Sequence, residues 1–124
     1  MLYTNYFSNI KNYDPTKVFA VTASKPEFLK GGYLKVVAPK YEWVEKYKNK
    51  EITADQYTEK YIAYLNANKE KILQVIKSLP DESMLCCYES PDKFCHRHVL
   101  AKWLNENKVK IIEFNEKFTK VYLF

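Results

Sequence analysis

The sequence predicts an α/β fold, a small three-layer sandwich around a mostly parallel sheet. Two observations predict it. Short β-branched or aromatic runs alternate with segments whose apolar residues recur every three or four positions. Met84 to Tyr88, "MLCCY", is apolar on both faces, as a central strand covered on both sides must be. At 124 residues the chain reads as one domain over 1–124, long enough to bury roughly two thirds of its unfolded surface.

Leu2 to Tyr6 and Val18 to Thr22 are bounded by Asn, Asp, Pro and Ser and are read as strands. Leu34 to Val37 is expected to form a third, brief strand, after the chain's only glycines, Gly31 and Gly32. Pro39 opens a helical segment with Trp43, Val44 and Tyr47 on one face. Thr53 and Gln56 have the spacing of a capping box, and Tyr57, Tyr61, Tyr64, Leu65, Ile72, Val75, Ile76 and Leu79 continue the helical stripe. Asn66 and Asn68 interrupt that stripe, which leaves one long helix or two meeting near Asn68, with Pro80 ending the run. After the strand at Met84 come a helix over Cys95 to Asn107 and a strand over Val109 to Phe114, and Phe118 to Phe124 is expected to add a last antiparallel strand.

Composition excludes several function classes. Apolar residues make up 47% of the chain and charged residues 28%, so disorder is excluded. Met1 to Ile10 lacks the pattern of a secretory signal, and no apolar run approaches the roughly 20 residues that span a bilayer; a cytoplasmic protein without a membrane partner is expected. Two adjacent glycines cannot build a Walker or dinucleotide-binding loop. The net charge of +5, carried almost wholly by lysines interleaved with tyrosines in the first half, favours anionic partners, but no DNA- or RNA-binding motif accompanies it.

All three cysteines and both histidines fall between Cys86 and His98. In a parallel α/β sheet ligands bind beyond the carboxyl ends of the strands, and this stretch is such a strand-to-helix connection, with Pro91 in the crossing. Strand alternation puts Cys86 and Tyr88 on one face and Cys87 and Glu89 on the other. On the helix, Val99, Leu100, Trp103 and Leu104 define the packed face, and His96 lies at its centre one turn nearer the loop, so His96 points inward at the strand end. His98 is expected to face solvent and has no role. Arg97 is placed at the edge of the packed face, beside the free donors of the helix start, where the two would seat an anion. Cys95 at the same helix start lies in a field that favours its thiolate.

Four readings of these residues compete. In the preferred one Cys87 or Cys95 is a nucleophile, His96 its general base or orienting partner, and Glu89 a proton carrier or substrate-positioning group. In the second the same pocket binds an anionic, nucleotide-like ligand without turnover, using Arg97 and stacked tyrosines. In the third Cys87, Cys95 and His96 hold zinc, but a gap of eight residues followed by an adjacent histidine is no knuckle, and no metal or other cofactor is expected. In the last the cysteines are small buried hydrophobes and His96 a core residue; Cys86 fits this individually.

The pattern Cys87-Tyr88-Glu89 at a strand end, then Cys95-His96-Arg97 opening a helix with Trp103 and Leu104 following, resembles the domain of unknown function 488 family. "LYTNYF" and "VVAPKYEWVEKYK" resemble further segments, so the resemblance spans residues 2 to about 114. It implies a Rossmann-like α/β fold with the Cys and Cys-His-Arg elements as its site, and no settled reaction. Where many members carry an arginine after the second strand, this chain has Ser24 and Lys25, and lysine is a point charge rather than a bidentate fork. The expected pocket lies at the ends of the strands near Tyr6, Thr22 and Tyr88. Cys87, Cys95, His96 and Glu89 are its catalytic candidates, and Arg97, Tyr6, Lys25 and Tyr88 its ligand-binding candidates. The expected function is a thiol-dependent enzyme on a small anionic or nucleotide-derived substrate; the alternative is a binding module for a nucleotide-like ligand or modified nucleic acid.

Overall fold

In the computed structural model, which describes residues 1–114, five parallel strands form one sheet in the order β3-β2-β4-β1-β5. The strands are β1 (Leu2–Tyr6), β2 (Val18–Ala20), β3 (Gly32–Tyr33), β4 (Met84–Cys87) and β5 (Ile111–Glu113). The helices are α1 (Tyr41–Lys48), α2 (Ala54–Ala67), α3 (Lys69–Lys77) and α4 (His96–Glu106). Strand β4 is central, paired with β1 in the register Tyr6↔Cys87 and with β2 in the register Ala20↔Cys86. All four of its residues are buried, which is why its sequence shows no polar alternation.

The α/β, Rossmann-like expectation holds, with unequal layers. One face of the sheet, carrying Leu85 and Cys87, packs against the helices in a core with Tyr57, Tyr61, Leu65, Ile72, Leu100 and Leu104. The other face, carrying Tyr3, Met84 and Cys86, is covered by Phe7, Ile10, Tyr13 and Leu29 from short 3₁₀ turns and loops. No helix among the described residues is long and apolar enough to cross a membrane.

The helical stripe divides into two helices at Asn68, whose side chain donates to the Tyr64 carbonyl and closes the end of α2. The capping box at Thr53 and Gln56 forms in both directions. The tyrosines of α2 are core residues with their hydroxyls satisfied: Tyr61 donates to the Val37 carbonyl at 2.5 Å and Tyr64 to that of Val36 at 2.8 Å. Asn66 breaks the apolar stripe because its side-chain oxygen accepts from Trp103 Nε1 at 2.9 Å.

Two expectations need correction, and a third cannot be placed. The third strand is not Leu34 to Val37 but Gly32–Tyr33, and residues 35–37 form a 3₁₀ turn instead. The reason is close approach: a Cβ at Gly31 would lie 2.0 Å from the Val18 carbonyl oxygen, and one at Gly32 would lie 2.6 Å from the Phe19 ring. The glycines therefore belong to the edge of the sheet rather than to a loop before it. Strand β5 is also shorter than Val109 to Phe114, and the segment Phe118 to Phe124 lies outside the described residues.

Gly31→Ala is expected to destabilise the fold by about 2–3 kcal/mol, because its new methyl group meets backbone that cannot rotate away. A urea midpoint unchanged from wild type would show that the β2–β3 edge yields freely.

Candidate functional site

The carboxyl ends of β2 and β4 open into a cleft of 470 Å³ between the sheet, α1 and the start of α4. Thr22, Ala23 and Ser24 line it from the loop after β2, and Tyr88, Glu89, Lys93, Phe94 and Cys95 from the loop after β4. Tyr41, Val44, Tyr47 and Lys48 of α1 and Tyr57 of α2 form the opposite wall. The aromatic wall is continuous, since the Phe94 ring lies 5.0 Å from that of Tyr47 and 5.3 Å from that of Tyr57. Tyr88 stands 57% exposed at the rim, edge-on to Phe7 at 5.0 Å.

His96 closes the cleft floor. As the first residue of α4 on its packed side, it turns inward and is almost wholly buried. Its Nε2 lies 2.6 Å from the Val21 carbonyl oxygen. A carbonyl only accepts, so Nε2 carries the proton and Nδ1 keeps a free lone pair. Burial drives the His96 pKa down to about 4, and the nearby Arg97 and His98 charges push the same way against the Val21 bond, so the ring stays neutral at physiological pH. Nδ1 faces Cys95 Sγ at 3.9 Å.

Cys87 at the end of β4 and Cys95 at the N-cap of α4 face each other, and their sulfurs are joined as a disulfide. Only Cys95 of the two lines the cleft; Cys87 lies wholly beneath it. Cys87 Sγ has two further neighbours, Arg97 Nη1 at 3.0 Å and Glu89 Oε2 at 3.5 Å. Cys86, on the opposite face of the sheet, is a free thiol whose pKa burial pushes up to about 12.

Arg97, the chain's only arginine, is not at the helix edge and does not line the cleft. It is fully buried: Nε and Nη2 donate to the two carboxylate oxygens of Glu113 at 3.1 and 2.8 Å, and Nη1 to the Glu89 carbonyl at 2.5 Å as well as to Cys87. Thr4 completes the group by donating to Glu113 Oε1 at 2.6 Å. The correction has a simple cause. A helical projection gives the direction of the Cα–Cβ bond, whereas the long arginine side chain reaches back over the preceding turn to the strand ends.

The structure thus brings together Cys87, Cys95, His96 and Glu89, with Tyr88 at the rim. It leaves Tyr6 beside Arg97, with the guanidinium 5.9 Å from its ring, and leaves Lys25 exposed outside the cleft lining. Among the described residues, the cations on the cleft are Lys48 and Lys93. His98 is half-buried rather than solvent-facing, because β5 runs along that flank of α4; its shielded Nε2 has no hydrogen-bond partner among the described residues.

Against known proteins, the family model DUF488-N3a, described as the active DUF488-N3 subclade, matches residues 16–108, which is most of the chain. The chain belongs to the DUF488 family. No curated protein and no solved structure matches it. Within this DUF488 chain the matched span carries the whole Cys87–Arg97 cluster and both cleft walls, while Glu113 and Thr4, which hold Arg97, lie outside it.

Sequence reasoning missed Glu113 and the α1 wall. Glu113 sits between Ile112 and Phe114 in the strand read over Val109 to Phe114, and a lone acidic residue there, in a chain with a single arginine, is the available signal.

Removing either end of the Arg97–Glu113 pair has unequal consequences. Glu113→Leu leaves a fully buried guanidinium without its counter-ion and is expected to cost about 3–5 kcal/mol. Arg97→Met leaves a carboxylate that is already 26% exposed and can turn to water, so it costs less. Urea unfolding of both variants checks the order, and the reverse order would mean that Glu113 is not the partner that neutralises Arg97.

Proposed function

We propose that this DUF488 protein is a thiol-dependent enzyme acting on a small anionic, nucleotide-like substrate bound in the aromatic cleft. The observation that carries the reading is the position of Cys95: it is the sulfur on the cleft floor, at the start of an eleven-residue helix and next to the Nδ1 lone pair of His96. A helix start favours a thiolate there. His96 is too weak a base to hold a thiol proton at neutral pH, so its part is to accept from the Cys95 S–H before ionisation and so fix the direction of the sulfur. With the Cys87–Cys95 disulfide reduced, Cys87, with Arg97 donating to its sulfur, is the second thiol behind Cys95, and Glu89 at the cleft edge carries protons.

The substrate class follows from the walls. Tyr47, Tyr57 and Phe94 offer rings against which a flat heterocycle can stack, and Lys48 and Lys93 supply the positive charge for a phosphate or carboxylate. The volume suits a ligand of nucleotide size, within the range of ordinary small-molecule sites.

The test compares small molecules released on denaturing wild-type and Cys95→Ser protein purified from the same cells, read by mass spectrometry. The expected result is an anionic, aromatic compound enriched in Cys95→Ser in an unconverted form, and lost when Tyr57 and Phe94 are both changed to alanine. Recovery of one identical compound in equal amount from wild type and Cys95→Ser would overturn turnover and leave a binding module.

A further inference from the structure

Two sulfurs and one imidazole nitrogen gather at the floor of the cleft. We infer that, with its thiols reduced, the protein binds one zinc ion through Cys87 Sγ, Cys95 Sγ and His96 Nδ1, leaving the fourth tetrahedral position open to the cleft. The inference takes from the proposed function only that the cleft is where a ligand sits.

Geometry supports it first. The three ligand atoms all lie within 4.8 Å of one another. Zinc bonds of about 2.3 Å to sulfur and 2.0–2.1 Å to nitrogen place tetrahedral S and N ligands about 3.6 Å apart and two sulfurs about 3.8 Å apart. Cys95 Sγ and His96 Nδ1 already stand 3.9 Å apart. The Cα atoms of Cys87 and Cys95 are 7.7 Å apart, wider than the roughly 4.4–6.8 Å usual for a disulfide. Two sulfurs converging on an ion between them suit that separation.

The surroundings supply the second observation. A metal-bound histidine commonly donates its other ring N–H to a carbonyl or carboxylate, which fixes the tautomer and aims the lone pair at the metal. His96 has that arrangement, with Nε2–H on the Val21 carbonyl and Nδ1 directed at the sulfurs. Arg97 Nη1, locked by Glu113, donates to Cys87 Sγ and offsets the charge of a bound thiolate. Two sulfurs and one imidazole form a soft to borderline set that suits zinc rather than magnesium or calcium.

The linear spacing counts against the zinc reading of these three residues, because it is not that of a knuckle. A knuckle brings its ligands together within one short loop, whereas here the strand end supplies one sulfur and the helix start supplies the second sulfur and the imidazole. Binding consumes no redox equivalent once the pair is reduced: each thiol releases its proton to solvent and the ion takes its place. An oxidised pair must first accept two electrons from a dithiol or phosphine reductant. Zinc keeps both sulfurs as thiolates without calling on His96 as a base. Glu89 lines the cleft and its Oε2 stands 3.5 Å from Cys87 Sγ.

The test is an anaerobic titration of phosphine-reduced, chelator-stripped protein with Co²⁺. The expected result is saturation at one equivalent, with the visible bands of tetrahedral cobalt and a thiolate-to-cobalt charge-transfer band, both bleached by Zn²⁺. Cys95→Ser and His96→Asn each lower affinity by more than roughly 100-fold, since even outer partners of a metal are worth about 10–100-fold. Cys86→Ser leaves the titration unchanged. Circular dichroism confirms that each variant is folded, and Cys95→Ser, which sits at the cleft surface, carries the test if His96→Asn does not fold. Failure of reduced wild type to develop the charge-transfer band, or a cobalt spectrum indifferent to Cys95→Ser, overturns the metal site. The outcomes separate the two readings: a missing cobalt spectrum with substrate still trapped by Cys95→Ser removes the metal alone, and a tetrahedral spectrum with identical small-molecule recovery from both proteins removes turnover alone.

Discussion

The ion pair between the buried Arg97 and the partly exposed Glu113 holds the site together. It ties four elements of the chain: β5 through Glu113, β1 through Thr4, the end of β4 through Cys87 and the Glu89 carbonyl, and the start of α4 through Arg97 itself. Taking a guanidinium wholly out of water is costly unless its donors are paired and its charge met. Here the carboxylate meets the charge with two parallel bonds, a geometry that fixes direction as well as energy. A lysine in this place would offer a single point charge and could not hold strand end and helix start in one plane.

With that strut in place, the rest of the cluster follows from where β4 stops and α4 begins. Pro91 lies in the connection and cannot donate to a ladder, so the chain leaves the sheet after Cys87 and returns as a helix at His96. The first residue of that helix faces the sheet and finds the Val21 carbonyl at the end of the neighbouring strand β2. Because the carbonyl can only accept, the imidazole has one tautomer, and its second nitrogen looks toward the sulfurs. Strand pairing thus sets the chemistry of a side chain one layer away.

Much of this was legible in the sequence. The alternation of Cys86 and Cys87 across the sheet and the inward turn of His96 follow from the periods of strand and helix alone, and both appear in the structure; the interrupted stripe leaves one helix or two open near Asn68, and the structure has two. The misreadings concern reach and non-local approach. Arg97 was placed by the angle of its Cα, although seven side-chain heavy atoms extend beyond it, and His98 was given to solvent because nothing local reveals that β5 covers its flank. The third strand is expected only after Gly31 and Gly32 because the carbonyl and ring these glycines make room for belong to β2, more than ten residues earlier. The α1 wall of the cleft was invisible for the same reason: Tyr47 and Lys48 meet the loop after β4 only in the folded chain.

Cys86 and Cys87 show how little separates an inert thiol from a placed one. They are neighbours on one strand, both wholly buried and both without a charge of their own in the neutral form. Cys86 meets Met84, Val18 and Tyr3 on its side of the sheet, and burial dominates, holding its proton far above the ordinary thiol range despite the more distant pull of Arg97. Cys87 turns to the other side, where the same guanidinium comes within 3.0 Å as a donor and a second sulfur and an imidazole share the space. Hydrophobic surroundings are common to both residues and cannot account for the difference. What distinguishes them is the company on the second face: the Arg97 donor that Glu113 holds in position, the sulfur of Cys95 and the ring of His96.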